Sequence, residues 1–287
     1  MPRHFFSFIR LFLLLLLAGI ASRACAQKTP RVAYGENARA GHYLNVGDAR
    51  IYYEVYGQGK PVVLLHGGLF GYINEYEHLI PKLSEKFQVI AIATRGHGKS
   101  ELGTKTLSYP LFAEDAYAVI RYLTKDSVTV IGFSDGADQG YYLATHHPET
   151  VKRLVAIGGN LGTYDMTEET KKGVKELSAQ MLKEQMPDFV AARKKLMPQP
   201  ELFDKFVTDL LKVWNQPHYI EEQTFRKIAC PTLLVAGEKD GTPIERYVIM
   251  HRMLKQSQLA IVPGSDHIVL IRKPELMNEI ILPFVND

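Results

Sequence analysis

The stretch Gly132-Phe133-Ser134-Asp135-Gly136 constrains this chain more than any other, because it sits between the apolar run Ser127–Ile131 and the helical pattern Gly136–His146. A Gly-x-Ser-x-Gly segment in that context is a sharp strand-to-helix reversal that holds its serine in a strained conformation with the hydroxyl exposed. The helix that follows aims N–H groups and partial positive charge at the turn, where an oxyanion would develop. A glycine-rich turn with a chance serine is the bland alternative, and it demands nothing of the rest of the chain. A reactive serine does make a demand. Its hydroxyl is a weak nucleophile and needs a base, which is itself oriented by a third group.

The downstream sequence supplies both in the order Ser, Asp, His. After the apolar run Pro231–Ala236 comes Gly237-Glu238-Lys239-Asp240-Gly241, and after Leu259–Val262 comes Pro263-Gly264-Ser265-Asp266-His267. Asp240 is the preferred acid, since it lies further into its loop and precedes the turn Gly241-Thr242-Pro243; Glu238 is the alternative. His267 is the expected base, in the last strand–helix loop. The other candidates are placed worse: His146 and His147 end a helix, His251 sits inside one, and His218 belongs to a helical interval. Backbone N–H donors for an oxyanion are expected from Asp135 and from Gly68 in Leu65-His66-Gly67-Gly68-Leu69, with Leu69 the alternative to Gly68.

Around these motifs the chain alternates. A hairpin is expected from His42–Val46 and Ala49–Tyr56 across Gly47-Asp48, then a buried strand at Pro61–Leu65. Further strands are read at Val89–Ala93, Leu154–Ile157 and at the runs already named; helices are read at Ile73–Lys86, Tyr109–Leu123 and Pro274–Phe284. The pattern predicts an α/β chain: a mostly parallel eight-stranded sheet with helices on both faces. Between Gly159 and Ile228 no strand is convincing, and helices are expected at Glu168–Gln185, Phe189–Lys195 and Glu201–Val213. This reads as a helical cap, residues 161–228, inserted into a core of 27–160 and 229–287 over the sheet edge that binds ligands in open α/β folds.

Residues 1–26 read as a secretory signal: Arg3 and Arg10 without acids, the apolar run Leu11–Ile20, then small residues at Ala24-Cys25-Ala26. The run is too short to span a bilayer comfortably, and Arg23 fits a lipoprotein site at Cys25 poorly. The expectation is a secreted or periplasmic protein, not held at a membrane after cleavage. The three arginines of this segment account for the whole formal charge of +3, so the remaining chain offers no basic excess for nucleic acid. Cys230 is then the one cysteine left, and it reads as a small buried hydrophobe. No metal site is expected, because His66, His97 and His267 fall on separate loops and there is no His-Glu-x-x-His or Cys pair. Arg95-Gly96-His97-Gly98-Lys99-Ser100 lacks the rest of a nucleotide fingerprint.

His66-Gly67-Gly68, Arg95–Ser100, Gly132–Gly136, Gly237–Asp240 and Pro263–His267, taken in that order, resemble the α/β-hydrolase superfamily in its cap-bearing group. The resemblance covers residues 42–287 and implies Ser134 as nucleophile, Asp240 as acid, His267 as base, and Gly68 with Asp135 as oxyanion donors. Thr94 departs from the family, which often has an acid there. Ser134 separates the chain from haloalkane dehalogenases and epoxide hydrolases, which carry Asp at that position. The Ser-Asp-Gly of the elbow is similar to that of biphenyl-hydrolase-like amino-acid-ester hydrolases, which implies that Asp135 holds a substrate amino group. The expected function is cleavage of a small carboxylic ester through an acyl-enzyme, with no cofactor. Lactone, thioester, aminoacyl-amide and carbon–carbon hydrolysis are the alternatives on the same triad, and a silent small-ligand binder is the alternative outside catalysis. Tyr164, Met166, Phe189, Phe203 and Trp214 are the expected pocket residues of the cap, with Trp214 set beside Asp135 as substrate-binding.

Overall fold

Short runs of β-branched and apolar residues, punctuated by glycine and proline, fold here into a single eight-stranded sheet. The structure, a computed structural model, describes residues 32–286; the expected signal segment 1–26 lies outside the described residues. The strands are β1 (Gly41–Asn45), β2 (Arg50–Tyr56), β3 (Lys60–Leu65), β4 (Phe87–Ile92), β5 (Val128–Phe133), β6 (Val151–Ile157), β7 (Thr232–Lys239) and β8 (Ser257–Asp266). Their order is β1-β2-β4-β3-β5-β6-β7-β8. The pairings of β1 with β2 and of β2 with β4 are antiparallel, and all later pairings are parallel.

Period-two alternation sorts the strand side chains onto two cores. Val63, Leu65, Ile90, Ile92, Val130 and Leu154 face one layer, while Val62, Leu64, Val89, Ala91, Ile131 and Val155 face the other. Helices α1 (Tyr109–Leu123) and α2 (Asp135–His146) cover the first face through Ala113, Ala116, Val119, Ile120, Ala137 and Tyr141. Ser108 starts α1 by accepting the Leu111 N–H at 3.2 Å, with Pro110 in the first turn where its missing N–H costs nothing.

Between β6 and β7 the chain forms α3 (Glu168–Glu176), α4 (Ala179–Gln185), α5 (Pro187–Leu196) and α6 (Phe203–Trp214). The expected helix Glu168–Gln185 is therefore two. Leu177 is extended, and the Ser178 hydroxyl caps α4 by accepting the Met181 N–H at 3.1 Å. A residue that bonds its own neighbouring backbone competes with helix continuation, which explains the break. The expected helix Ile73–Lys86 is likewise absent as one unit. A 3-10 turn at Ile73–Tyr76 gives way to a single helical turn at Ile80–Leu83. Pro81 has no N–H for the carbonyl four residues back, so it opens a turn and cannot continue one. Helix α7 (Ile244–Met253) lies between β7 and β8, and α8 (Pro274–Asn286) closes the chain, burying Met277, Ile281 and Phe284 in the second core. Among the described residues no helix is long and apolar enough to cross a membrane.

Candidate active site

The C-terminal ends of the parallel strands bring the predicted residues to one edge of the sheet. At the end of β5, Ser134 has φ +52°, and it is the sole non-glycine with positive φ among the described residues. Such a conformation costs on the order of 1–3 kcal/mol and persists only where the surroundings over-determine it. Here they do. The Ser134 N–H donates to the Ile157 carbonyl at 2.7 Å, and the Ala137 N–H returns to the Ser134 carbonyl at 2.7 Å. A methyl group on Gly132 would sit 2.1 Å from the Gly136 oxygen, and one on Gly136 would sit 1.9 Å from the Leu65 oxygen. Both glycines of the motif are thus required by close backbone approach.

Strand register supplies the next two residues. The β7–β8 pairing runs on to Lys239 opposite Asp266, so Asp240 and His267 emerge side by side. The Nδ1 of His267 lies 3.1 and 3.2 Å from the two Asp240 carboxylate oxygens, and its Nε2 lies 2.9 Å from the Ser134 hydroxyl. The Asp240 side chain is buried, and it also accepts the Thr242 N–H at 3.1 Å. Burial alone would depress the His267 pKa; the charge and hydrogen bond of Asp240 outweigh it, Asp135 and Asp266 add to them, and the net direction is upward. Glu238, the alternative acid, points elsewhere and accepts the Gly264 N–H at 2.7 Å. The rival histidines are also elsewhere: His147 meets Glu114, His251 meets Ser257, His146 stacks on Tyr142, and His218 lies against Tyr164.

The loop after β3 is fixed by a neutral imidazole. Thr94 N–H donates to His66 Nε2 at 2.9 Å, so His66 Nδ1 carries the proton and donates it to the Gly67 carbonyl at 2.6 Å. Burial pushes the His66 pKa down to about 4, which keeps this tautomer uncharged. Because the Gly67–Gly68 peptide is planar and trans, anchoring the Gly67 carbonyl directs the Gly68 N–H the opposite way. Thr94, the departure from the family pattern, supports the loop through its backbone, and its hydroxyl accepts from Gln139 at 3.4 Å.

Asp135 and Trp214, the two residues expected to bind substrate, meet directly. The buried Asp135 carboxylate accepts from Tyr109 OH at 3.1 Å and from Trp214 Nε1 at 2.9 and 3.0 Å. Burial pushes its pKa up to about 6, against the lowering effect of the Trp214 and Tyr109 bonds and of His267. Among the described residues no Lys or Arg forms an ion pair with it. The carboxylate and the Trp214 ring also crowd Gly68, where an added methyl would stand 2.3 Å from Asp135 Oδ2 and 2.5 Å from Trp214 Cζ2. Of the five pocket residues expected from the insertion, Trp214 makes this contact; Phe203 is buried, Phe189 lies on Phe70, Tyr164 lies tilted against His218, and Met166 is half-buried. Tyr109 was not foreseen from the sequence, nor were Glu75 and Arg193, which bond the Gly67 N–H and the Phe70 carbonyl of the loop after β3. Cys230 is half-buried against the first core, and burial raises its thiol pKa. Among the described residues no cluster of His, Cys, Asp and Glu offers a metal site.

A family model described as the α/β-hydrolase fold matches residues 60–200. A solved esterase from Exiguobacterium antarcticum (EaEST) superposes with a TM-score of 0.70 at 24% identity, covering 86% of this chain and 100% of that one. The chain belongs to the α/β-hydrolase superfamily. Among other α/β-hydrolases, the AB hydrolase superfamily protein YisY of Bacillus subtilis (strain 168) is 26% identical over 271 residues, 86% of this chain and all of its own length. Serine hydrolase BPHL of Mus musculus is 24% identical over 285 residues, covering 94% of this chain and 95% of its own. Within the α/β-hydrolase frame, the Ser134–His267–Asp240 chain of hydrogen bonds can move a proton from hydroxyl to imidazole while the carboxylate holds the imidazole in place.

Proposed function

We propose that this α/β-hydrolase is an exported serine hydrolase that cleaves a small carboxylic ester through an acyl-enzyme. One observation carries the reading: His267 Nε2 stands 2.9 Å from the Ser134 hydroxyl while Asp240 binds its Nδ1. In this reading Ser134 attacks the ester carbonyl as His267 takes its proton. The developing oxyanion is held by the N–H groups of Gly68 and Asp135. His267 then gives the proton to the leaving alcohol, and a water activated by the same imidazole hydrolyses the acyl-Ser134 ester. Export rests on the sequence of residues 1–26, with its basic start, apolar run and small-residue end.

Within that reading, Asp135 and Trp214 bind the substrate, and the Asp135 carboxylate takes an ammonium group. Two neutral donors occupy part of its acceptor capacity, and a carboxylate can accept about four bonds. Its position beside Gly68 is next to the carbonyl that an oxyanion donor would grip. The likeness to serine hydrolase BPHL supports the serine nucleophile of this reading.

The test is a substrate panel of free amino-acid esters, their N-acetyl forms, simple acyl esters, lactones and aminoacyl amides. The reading expects the free-amine ester to exceed its N-acetyl form in kcat/KM by roughly 10–100-fold, the value of one charge-assisted hydrogen bond. It expects all turnover to vanish in Ser134→Ala. Equal turnover of the two esters removes the ammonium role, and faster lactone or amide cleavage reassigns the bond.

A further inference from the structure

Glu75 is a carboxylate that the acyl-transfer chemistry above does not use, yet it lies against the loop on which that chemistry depends. It sits in the 3-10 turn Ile73–Tyr76 and accepts the Gly67 N–H at 2.8 Å. A methyl on Gly67 would be 3.4 Å from each of its oxygens, so the carboxylate lies directly over that residue. Gly67 is then gripped at both ends, its N–H by Glu75 and its carbonyl by His66. Two anchors on one residue fix both flanking peptide planes, including the one that carries the Gly68 N–H.

A second grip comes from the insertion. Arg193 of α5 donates to the Phe70 carbonyl three residues on, and its guanidinium lies 5.9 Å from the centre of the Tyr72 ring and 5.1 Å from that of Phe189. The charge of Arg193 bears on Glu75. Burial raises the Glu75 carboxyl to about 7, while the Gly67 N–H, Arg193 and His267 lower it and Asp135 raises it further. A buried carboxylate is costly unless it is bonded, so its retention against this loop calls for an explanation.

We propose that Glu75 is a positioning residue for the oxyanion donor: its carboxylate holds the Gly67 N–H and, together with the His66 bond to the Gly67 carbonyl, fixes Gly67 and so the direction of the Gly68 N–H, with Arg193 steadying the same loop from α5. The proposal rests on the serine-hydrolase reading of Ser134. It requires an acceptor at position 75 of the right length. Glu75→Gln keeps the acceptor without the charge, Glu75→Leu removes the acceptor, and Glu75→Asp keeps the charge but falls one methylene short of Gly67.

The experiment measures the rate of Ser134 phosphonylation by a fluorophosphonate, and kcat and KM for a 4-nitrophenyl ester, in the wild type and the three variants. Thermal unfolding is followed in parallel. Glu75→Leu and Glu75→Asp should lose about 10–100-fold in labelling rate and in kcat, less than the roughly 100–1,000-fold of an oxyanion donor removed outright because the Gly68 N–H is displaced and not lost, with KM within about twofold of wild type. Glu75→Gln should keep most of both. Wild-type labelling speed in folded Glu75→Leu or Glu75→Asp overturns the proposal, as does a Glu75→Gln variant as slow as the other two. Should Glu75→Leu fail to fold, Glu75→Asp decides alone. No labelling of the folded wild type would instead defeat the reading of Ser134, so the two failures are told apart.

Discussion

The residues that matter most at this site are those whose ionisation is tuned by their neighbours. On the proposed function His267 must be neutral to receive the Ser134 proton; its pKa is held above the ordinary histidine value despite burial, chiefly by Asp240 with help from Asp135 and Asp266. The acid limb of kcat/KM for an uncharged ester should therefore fall above about 6.5, the unperturbed imidazole value. Asp135→Asn removes one of the negative charges that raise it, so the limb should move to lower pH. A pH–rate profile of both proteins checks the sign, and a limb that stays put or moves upward contradicts the assignment. Ser134, Asp240 and His267 were legible in the sequence because each directly follows an apolar strand, where local pattern and chemistry coincide. Glu75, Tyr109 and Arg193 were not. Their partners are Gly67, Asp135 and Phe70, and contacts between different elements leave no periodic trace along the chain.

At the scale of elements, the strands were read well and two helices were not. Val89–Ala93 and Pro61–Leu65 are continuous apolar runs, and they form neighbouring parallel strands as such runs should. Glu168–Gln185 looked like one helix because helix-forming residues dominate it; the cap at Ser178 divides it. The segment before β1 is tied down by a few buried side chains: the Tyr72 hydroxyl donates to the Gly35 carbonyl at 2.6 Å, and one carboxylate gathers most of the rest. The carboxylate of Glu54, on β2, is fully buried and accepts the Gly35 N–H at 2.8 Å, the Asn37 N–H at 2.9 Å, and the hydroxyls of Tyr52 and Tyr56 at 2.7 Å each. Removing this acceptor leaves several buried N–H and O–H donors unpaired, at a cost of about 1–3 kcal/mol for each that stays unsatisfied. Glu54→Ala should therefore destabilise the protein by about 3 kcal/mol, or roughly 6–12 °C in melting temperature for a chain of this size. Glu54→Gln, which keeps one acceptor oxygen, should lose less. Thermal unfolding followed by circular dichroism decides, and a melting temperature within 2 °C of wild type in Glu54→Ala would show that the arm is held by something else.

For the molecule as a whole, the strand order makes the site. Loops after β3, β4, β5, β7 and β8 meet at one sheet edge, and the chain between β6 and β7 sends Trp214 to Asp135 and Arg193 to the Phe70 carbonyl. The sheet was foreseen from alternation alone. What the insertion places against the sheet edge was not, since amphipathic helices announce that they bury a face and not which neighbour they bury it against. On the proposed function, Ser134 is a nucleophile activated by His267. The most direct measurement is mass-spectrometric mapping of the purified protein after treatment with a fluorophosphonate. A single adduct on the peptide that contains Ser134, lost in Ser134→Ala and kept in Cys230→Ala, is the expected result. Folded protein that takes no adduct, or takes it on another residue, contradicts the account.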